Sequence, residues 1–174
     1  ALQTAMANGG SVNINLVGGS IGGNLNVPCA DGPLAFVQFT LNGTQVLSGS
    51  QLILCAKNNG TLIADVGNVD FSGNDGQGII MLAETGGDIT ANLFHIDVRN
   101  NGNNIATPIH PDVNPPISTV DAAIQGVVRN AGSTINLTMD EIVAVNNQQS
   151  GLDLSVQSGG VLNATISDSN FSDN

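Results

Sequence analysis

The stretch that decides the fold is GIIMLAETGGDITANLFHIDVRNN, which runs from Gly78 to Asn101. Two runs of alternating apolar residues flank Gly86 and Gly87, and this pattern is typical of two β-strands joined by a tight turn. Taken alone, the stretch indicates a β-hairpin. A pair of glycines also suits a corner between strands that do not pair with each other, so the surrounding sequence has to decide.

An internal repeat decides against the hairpin. Residues 51–74 align with residues 78–101 at a shift of 27 residues, and residues 151–174 align with them at a shift of 73. A 27-residue unit of short alternating strands with Gly or Asn corners is one turn of a β-solenoid, whose strands pair one turn away. The inward columns stay apolar, namely Leu62, Ile89, Ile135, Leu162 and Ala64, Ala91, Leu137, Ala164.

The larger shift locates an insertion. It exceeds two periods of 27 residues by 19, and residues 102–120 carry four of the six prolines without any alternation. We expect a surface loop there, because long loops are uncommon in compact domains and only sometimes functional. Residues 1–10 are predicted either to cap the first turn or to form a frayed tail.

The predicted fold is all-β, a right-handed parallel β-helix of about six coils in one domain that spans residues 1–174. The chain is expected to be a fragment of a longer protein. The 27-residue period, the aliphatic columns and the corner asparagines resemble the pectate-lyase-like superfamily. That resemblance implies the fold and a secreted or cell-surface bacterial setting, but no activity. The corner asparagines are Asn74, Asn101, Asn147 and Asn174.

Charge and apolar content exclude two classes of partner. Three basic residues against 14 acidic ones give a net charge of −11, which repels phosphate backbones and anionic lipid. We therefore expect no nucleic-acid partner. No apolar run approaches the roughly 20 residues of a membrane span, so no membrane insertion is expected. Cys29 and Cys55 fall on adjacent coils and form either one disulfide or two free thiols.

Two outward columns collect acidic residues. Asp70 stacks directly on Asp97, and a hard cation such as calcium would relieve their repulsion. Solvated, screened carboxylates are the alternative, and no cofactor is predicted. A further column holds Lys57 above Glu84 as an exposed pair, and Ile53 beside Ile80 forms a small outward apolar patch.

The column of His95, Glu141 and Asp168 is the candidate catalytic site. Carboxylates one coil apart approach the roughly 5 Å separation of retaining glycosidases, and the column lies next to the insertion. The chain has no Trp or Tyr to serve as a sugar platform. Elimination in the resembled superfamily uses Arg or Lys with calcium, and Arg99 and Arg129 lack an acidic cluster beside them. A surface histidine with acidic neighbours is the rival interpretation.

We therefore predict a non-enzymatic, extracellular structural or adhesin-like module that holds a glycan or protein ligand. The alternative is a polysaccharide-active β-helix, a lyase or glycoside hydrolase, with its site beside the inserted loop. The sequence shows no polar cap after Phe171, so self-association through the C-terminal coil is also predicted.

Overall fold

The computed structural model describes residues 10–21, 25–43, 45–46, 51–73, 78–101, 122–148 and 150–174. Residues 1–9, most of the expected cap, the insertion 102–120 and Asn74 lie outside the described residues. The described residues form fourteen β-strands and no helix. The strands are Ser11–Val17 (β1), Ser20–Ile21 (β2), Leu25–Asn26 (β3), Ala30–Asp31 (β4), Phe36–Asn42 (β5), Gln45–Val46 (β6), Leu52–Lys57 (β7), Thr61–Asp70 (β8), Ile79–Glu84 (β9), Asp88–Asp97 (β10), Ala122–Arg129 (β11), Thr134–Val143 (β12), Ser150–Gln157 (β13) and Val161–Ser167 (β14).

The described strands form two parallel sheets. In the large sheet the order is β1-β5-β8-β10-β12-β14, with β2 and β6 beside this path. In the small sheet the order is β13-β11-β9-β7-β3, with β4 paired to β7. The two strands of the opening stretch, β9 and β10, lie in different sheets and pair with strands of other turns. The all-β parallel solenoid is confirmed, and the hairpin is absent.

Strand register confirms the 27-residue period. Leu62 pairs with Ile89, and Ile135 pairs with Leu162, in each case 27 residues along the chain. Ile89 pairs with Ile135, so the intervening turn contains the extra residues of the insertion. Because the chain returns to the same column after the insertion, the register of the stack survives it.

The predicted number of coils is wrong. Both long strands are present in the turns formed by β7 with β8, β9 with β10, β11 with β12, and β13 with β14, which gives about four turns. Before them, β1 and β5 join the large sheet, but the small sheet has only the two-residue strands β3 and β4. Pro28, Pro33 and several glycines interrupt this part of the chain and disfavour long strands.

The core lies between the sheets and consists of the predicted inward columns. The inward-facing aliphatic side chains of β8, β10 and β12 are buried there, together with Phe39 and Phe71. Corners must bring the backbone close to the preceding turn. A β-carbon at Gly87 would collide with the carbonyl of Ala56, so only glycine fits the corner that links β9 to β10.

Three stacked asparagines, Asn101, Asn147 and Asn174, form what we call the asparagine ladder. The backbone N–H of Asn101 donates to Oδ1 of Asn147 at 3.0 Å, and the N–H of Asn147 donates to Oδ1 of Asn174 at 3.0 Å. The side-chain amides donate backwards to the carbonyls of Phe71, Val98 and Ala144. Asn101 and Asn147 are buried. Each amide thus supplies partners to backbone groups that strand pairing does not reach.

Loss of one rung should destabilise the stack. Asn147→Ala removes the acceptor of the Asn101 N–H and the donor to the Val98 carbonyl, which leaves two polar groups without these partners. We expect the free energy of unfolding to fall by about 2–4 kcal/mol, measured by chemical denaturation. The control is Asn136→Ala, because Asn136 is exposed and bonds to Asn163 on the sheet surface; it should cost roughly 0.5 kcal/mol or less. Equal effects of the two changes would contradict a register role for the ladder.

The last turn of the stack is much more exposed than the turn before it. Ile166 is 46% exposed, whereas Met139, its counterpart one turn earlier, is 0% exposed. β13 and β14 also leave one edge without a described partner strand. At the other end of the stack, β1 is as long as β14, but β3 and β4 are far shorter than β13. The C-terminal edges therefore match a second copy of themselves better than they match the N-terminal end.

We expect the 174-residue chain to form a symmetric end-to-end dimer, because an isologous contact closes both exposed edges. Ile166→Lys places a charge that points inward at this contact and should give a monomer by light scattering. Val161→Lys is the matched control, since Val161 lies on the same strand, points outward and is 49% exposed against 46% for Ile166. A wild-type chain that stays monomeric at high concentration would refute the dimer.

Candidate functional site

The outward surface of the large sheet, which we call the polar face, is the long exposed face among the described strands. Its residues are almost all uncharged, and each is exposed or half-buried. Side-chain hydrogen bonds join neighbouring turns, including Asn92 Nδ2 to Asp65 Oδ1 at 2.7 Å and Asn163 Nδ2 to Asn136 Oδ1 at 2.9 Å. The face comprises Asn13, Asn15, Gln38, Thr40, Ile63, Asp65, Thr90, Asn92, Asn136, Thr138, Asn163 and Thr165.

One column of left-handed residues bounds the polar face. Asn68, His95, Glu141 and Asp168 have φ values of 53°, 55°, 54° and 44°. A left-handed residue interrupts strand alternation, so two consecutive side chains point outward at this column. Such φ values are uncommon outside glycine and are tolerated best by Asn and Asp. The column therefore turns the chain at the same place in successive coils.

The three catalytic candidates belong to this column. Nδ1 of His95 lies 2.9 Å from Oε2 of Glu141, and Asp168 is in register with Glu141 one turn later. The side chains of His95 and Glu141 are 70% and 57% exposed. A histidine–carboxylate pair can transfer protons, but at this exposure water competes for both groups.

The paired carboxylates of the other acidic column each have a partner of their own. Asp70 and Asp97 are in register, as predicted. Asp97 binds the guanidinium of Arg99, and Asp70 accepts a hydrogen bond from the Ser72 N–H at 2.9 Å. The hydrogen bond from Arg99 to Asp97, together with the negative charge of Asp97, raises the pKa of Arg99. Within the described ranges, no group of three or more potential ligands that could hold a metal ion is found.

Sequence reasoning missed the exposed aromatic side chain beside this column. Phe94 lies at the edge of the polar face, next to His95. Its distal ring atoms lie over Gly67 on the preceding turn, and a β-carbon at Gly67 would collide with them. The 27-residue shift already aligns Gly67 with Phe94. The sequence therefore already placed a large outward side chain, Phe94, in the same column as a glycine without one, Gly67.

The outward surface of β7, β9 and β11 in the small sheet is largely buried, contrary to the predicted apolar patch. Ile53 and Ile80 are 3% and 2% exposed, and they belong to a second hydrophobic cluster that also includes Leu82 and Val127. Cys29 and Cys55 lie in the same cluster and are joined by a disulfide, with a Cα–Cα distance of 4.6 Å. This surface is therefore not available to a partner in the way that the polar face is.

Charged residues border this buried surface as a charge ladder of Asp31, Lys57, Glu84 and Arg129, in register on successive turns. Lys57 Nζ lies 3.4 Å from Asp31 Oδ2. Lys57 stacks on Glu84 as predicted, but Glu84 and Arg129 are buried, so the expected exposure of the pair is wrong. Burial raises the pKa of Glu84, and the positive charges of Arg129 and Lys57 offset only part of this effect.

The raised pKa makes stability depend on pH. Below the ordinary pKa of 4.5, Glu84 is protonated in both the folded and unfolded states. Between pH 4.5 and the raised folded-state pKa, the unfolded chain gives up this proton more readily than the folded chain, so stability falls as the pH rises through this range. We expect Glu84→Gln to remove this loss, so its melting temperature relative to wild type should rise with pH just above 4.5.

Asp88→Asn is the control for that measurement, because it removes the same charge from an exposed position. Its melting temperature relative to wild type should show no comparable pH-dependent rise. A constant difference between wild type and Glu84→Gln across the pH range would show that Glu84 is well solvated in the folded state.

Comparisons with family models, curated proteins and solved structures found no match to the chain. Among the described strands and connections, nothing has the helical length and hydropathy needed to cross a bilayer. The function therefore has to be inferred from the geometry of the solenoid and its surfaces.

Proposed function

We propose that this chain is a non-enzymatic structural or adhesin-like solenoid module that holds a glycan or a protein on its polar face. One observation carries the proposal. The large sheet presents a long exposed surface of Asn, Thr and Gln side chains, while the outward surface of β7, β9 and β11 in the small sheet is largely buried. A partner that spans several turns meets chemically similar rows at the spacing of a β-ladder, roughly 4.8 Å.

The hydrogen bonds between turns support a binding role for this face. Bonds such as Asn92 to Asp65 and Asn163 to Asn136 hold the side chains before any ligand arrives. Prior ordering lowers the entropy that binding would otherwise cost. Many weak contacts along several turns then add up to useful affinity.

An extracellular location fits the same proposal. The bond between Cys29 and Cys55 is a feature of oxidising compartments. The stacked parallel turns and the asparagine ladder support a place among the pectate-lyase-like β-helices, of the kind found in secreted or cell-surface bacterial proteins. The net charge of −11 favours neutral or cationic partners over anionic ones.

A polysaccharide-active enzyme is the second candidate, and the 2.9 Å pair of His95 and Glu141 is the observation that favours it. Reducing-sugar and unsaturated-product assays on polysaccharides separate the two candidates. We expect no product above the level of a Glu141→Gln control. Product that depends on Glu141 would replace the adhesin-like proposal with a catalytic one.

The binding test places a bulky side chain in the middle of the polar face. Thr138 is exposed between Asn92 on one turn and Thr165 on the next. We expect Thr138→Arg to lower binding to a glycan array or a captured surface protein by about tenfold or more, since it blocks two adjacent rows. Circular dichroism and the melting temperature should stay close to wild type.

Ala131→Arg is the matched control, because Ala131 is exposed at the corner between β11 and β12 and lies off the polar face. It should bind like wild type. Loss of binding in Ala131→Arg with normal binding in Thr138→Arg would move the ligand away from the polar face. If the wild-type chain binds no ligand, the chain is a structural spacer and not a binding module.

A further inference from the structure

We propose that Phe94 is the floor of a subsite for one hexose unit of a non-anionic glycan. This inference rests on the proposed function, since it names the ligand class and the place on the polar face where that ligand is held. All five phenylalanines lie among the described residues, and Phe94 alone is exposed, at 38%. The exposed faces of aromatic rings are where sugars present their C–H groups to proteins.

The backbone of the neighbouring turn holds the ring in place. The Phe94 ring leans across the sheet until its distal atoms lie over Gly67, and no other residue at that position would leave room for it. Ile96 and Leu93, on either side of the outward pair Phe94 and His95, are buried and anchor the strand from below. The ring thus lies against the backbone of the adjacent strand, while Phe94 as a whole stays 38% exposed.

Hydrogen-bonding groups occupy register positions next to Phe94 and suit sugar hydroxyls. Asp65 accepts from Asn92 at 2.7 Å in the neighbouring column, and Asp140 accepts from Ser167 at 2.7 Å in the column of Phe94 itself. A carboxylate has about four acceptor positions, which is more than one such bond uses. A hexose on the ring would therefore find fixed acceptors at its rim.

Charge excludes acidic sugars from this place. The carboxylates of Asp65, Asp140 and Glu141 lie in the same column as Phe94 or in columns next to it, and the net charge of the chain is −11. A uronate carboxylate would be repelled, whereas a neutral hexose would not and an amino sugar would be attracted. The expected order of affinity is glucosamine chain, then neutral glucose chain, then galacturonate chain.

A purely structural role for Phe94 is the rival explanation, because an aromatic ring can shield a glycine in the adjacent strand. Leucine separates the two roles. Phe94→Leu still covers Gly67 with apolar atoms but has no ring face for a sugar. Gly67→Ala keeps the aromatic ring and forces it out of its position over the strand.

The experiment measures binding of three hexamers by isothermal titration: chitosan hexamer, cellohexaose and hexagalacturonate. We expect wild type to bind chitosan hexamer most tightly, cellohexaose less tightly and hexagalacturonate most weakly. Phe94→Leu and Gly67→Ala should each lower affinity by about tenfold. Leu34→Ala, which trims another exposed apolar side chain, should bind like wild type. In the free protein, proton NMR should show a Gly67 Hα resonance shifted upfield by the ring and restored in Phe94→Leu.

The outcomes separate this inference from the proposed function. A ligand whose binding falls in Thr138→Arg but not in Phe94→Leu or Gly67→Ala overturns the Phe94 subsite and leaves the polar face as the binding surface. Tightest binding of hexagalacturonate, or binding of a protein and no hexamer, also overturns the subsite alone. Absence of any ligand sensitive to Thr138→Arg overturns both, whatever the NMR shift of Gly67 shows.

Discussion

The hydrogen bonds of the asparagine ladder are the constraint on which the rest of the structure depends. In a solenoid the strands satisfy one another, but the corners carry backbone groups that no strand reaches. Asn101 and Asn147 meet this demand from inside the stack, where water does not compete. Because each side-chain amide bonds to backbone groups of the preceding turn, a shift of one residue would break every rung together. The ladder therefore fixes the register of the turns.

Fixed register gives the outer surfaces their chemistry. Equivalent side chains stand one above another, so that Thr and Asn form rows on the polar face and opposite charges alternate in the charge ladder. The left-handed column of Asn68, His95, Glu141 and Asp168 turns every coil at one place. This turn leaves Phe94 and His95 side by side at the edge of the face. The two sheets differ in accessibility, and the exposed one is the better surface for a partner.

The sequence predicted the features that repeat. The columns through Leu62 and Ala64, and the stacking of His95 with Glu141, follow from counting residues, because the ladder allows one register only. Solvent exposure did not follow from counting. Outward positions such as Ile53 and Glu84 look like surface in an alternating pattern, yet they are buried. An alternating pattern distinguishes two sides of a strand and cannot report what lies against the outer one.

Two further differences have local causes. Glycines and prolines shorten the first strands of the small sheet, so the number of regular turns is lower than the length of the chain suggested. The position of Phe94 depends on the empty space above Gly67, a relation between two turns that a single column of residue types does not display. Both cases involve glycine, whose effect depends on its neighbours in space.

Backbone amide hydrogen exchange at Asn101 tests the central role of the ladder most directly. Asn101 lies outside any strand, and its N–H donates to Oδ1 of Asn147 instead of to a strand carbonyl. We predict exchange as slow as that of the core amides of Leu93 and Met139, with opening only on global unfolding. Exchange as fast as that of the exposed corner at Gly132 would contradict the account, because the turns would then hold their register without the ladder.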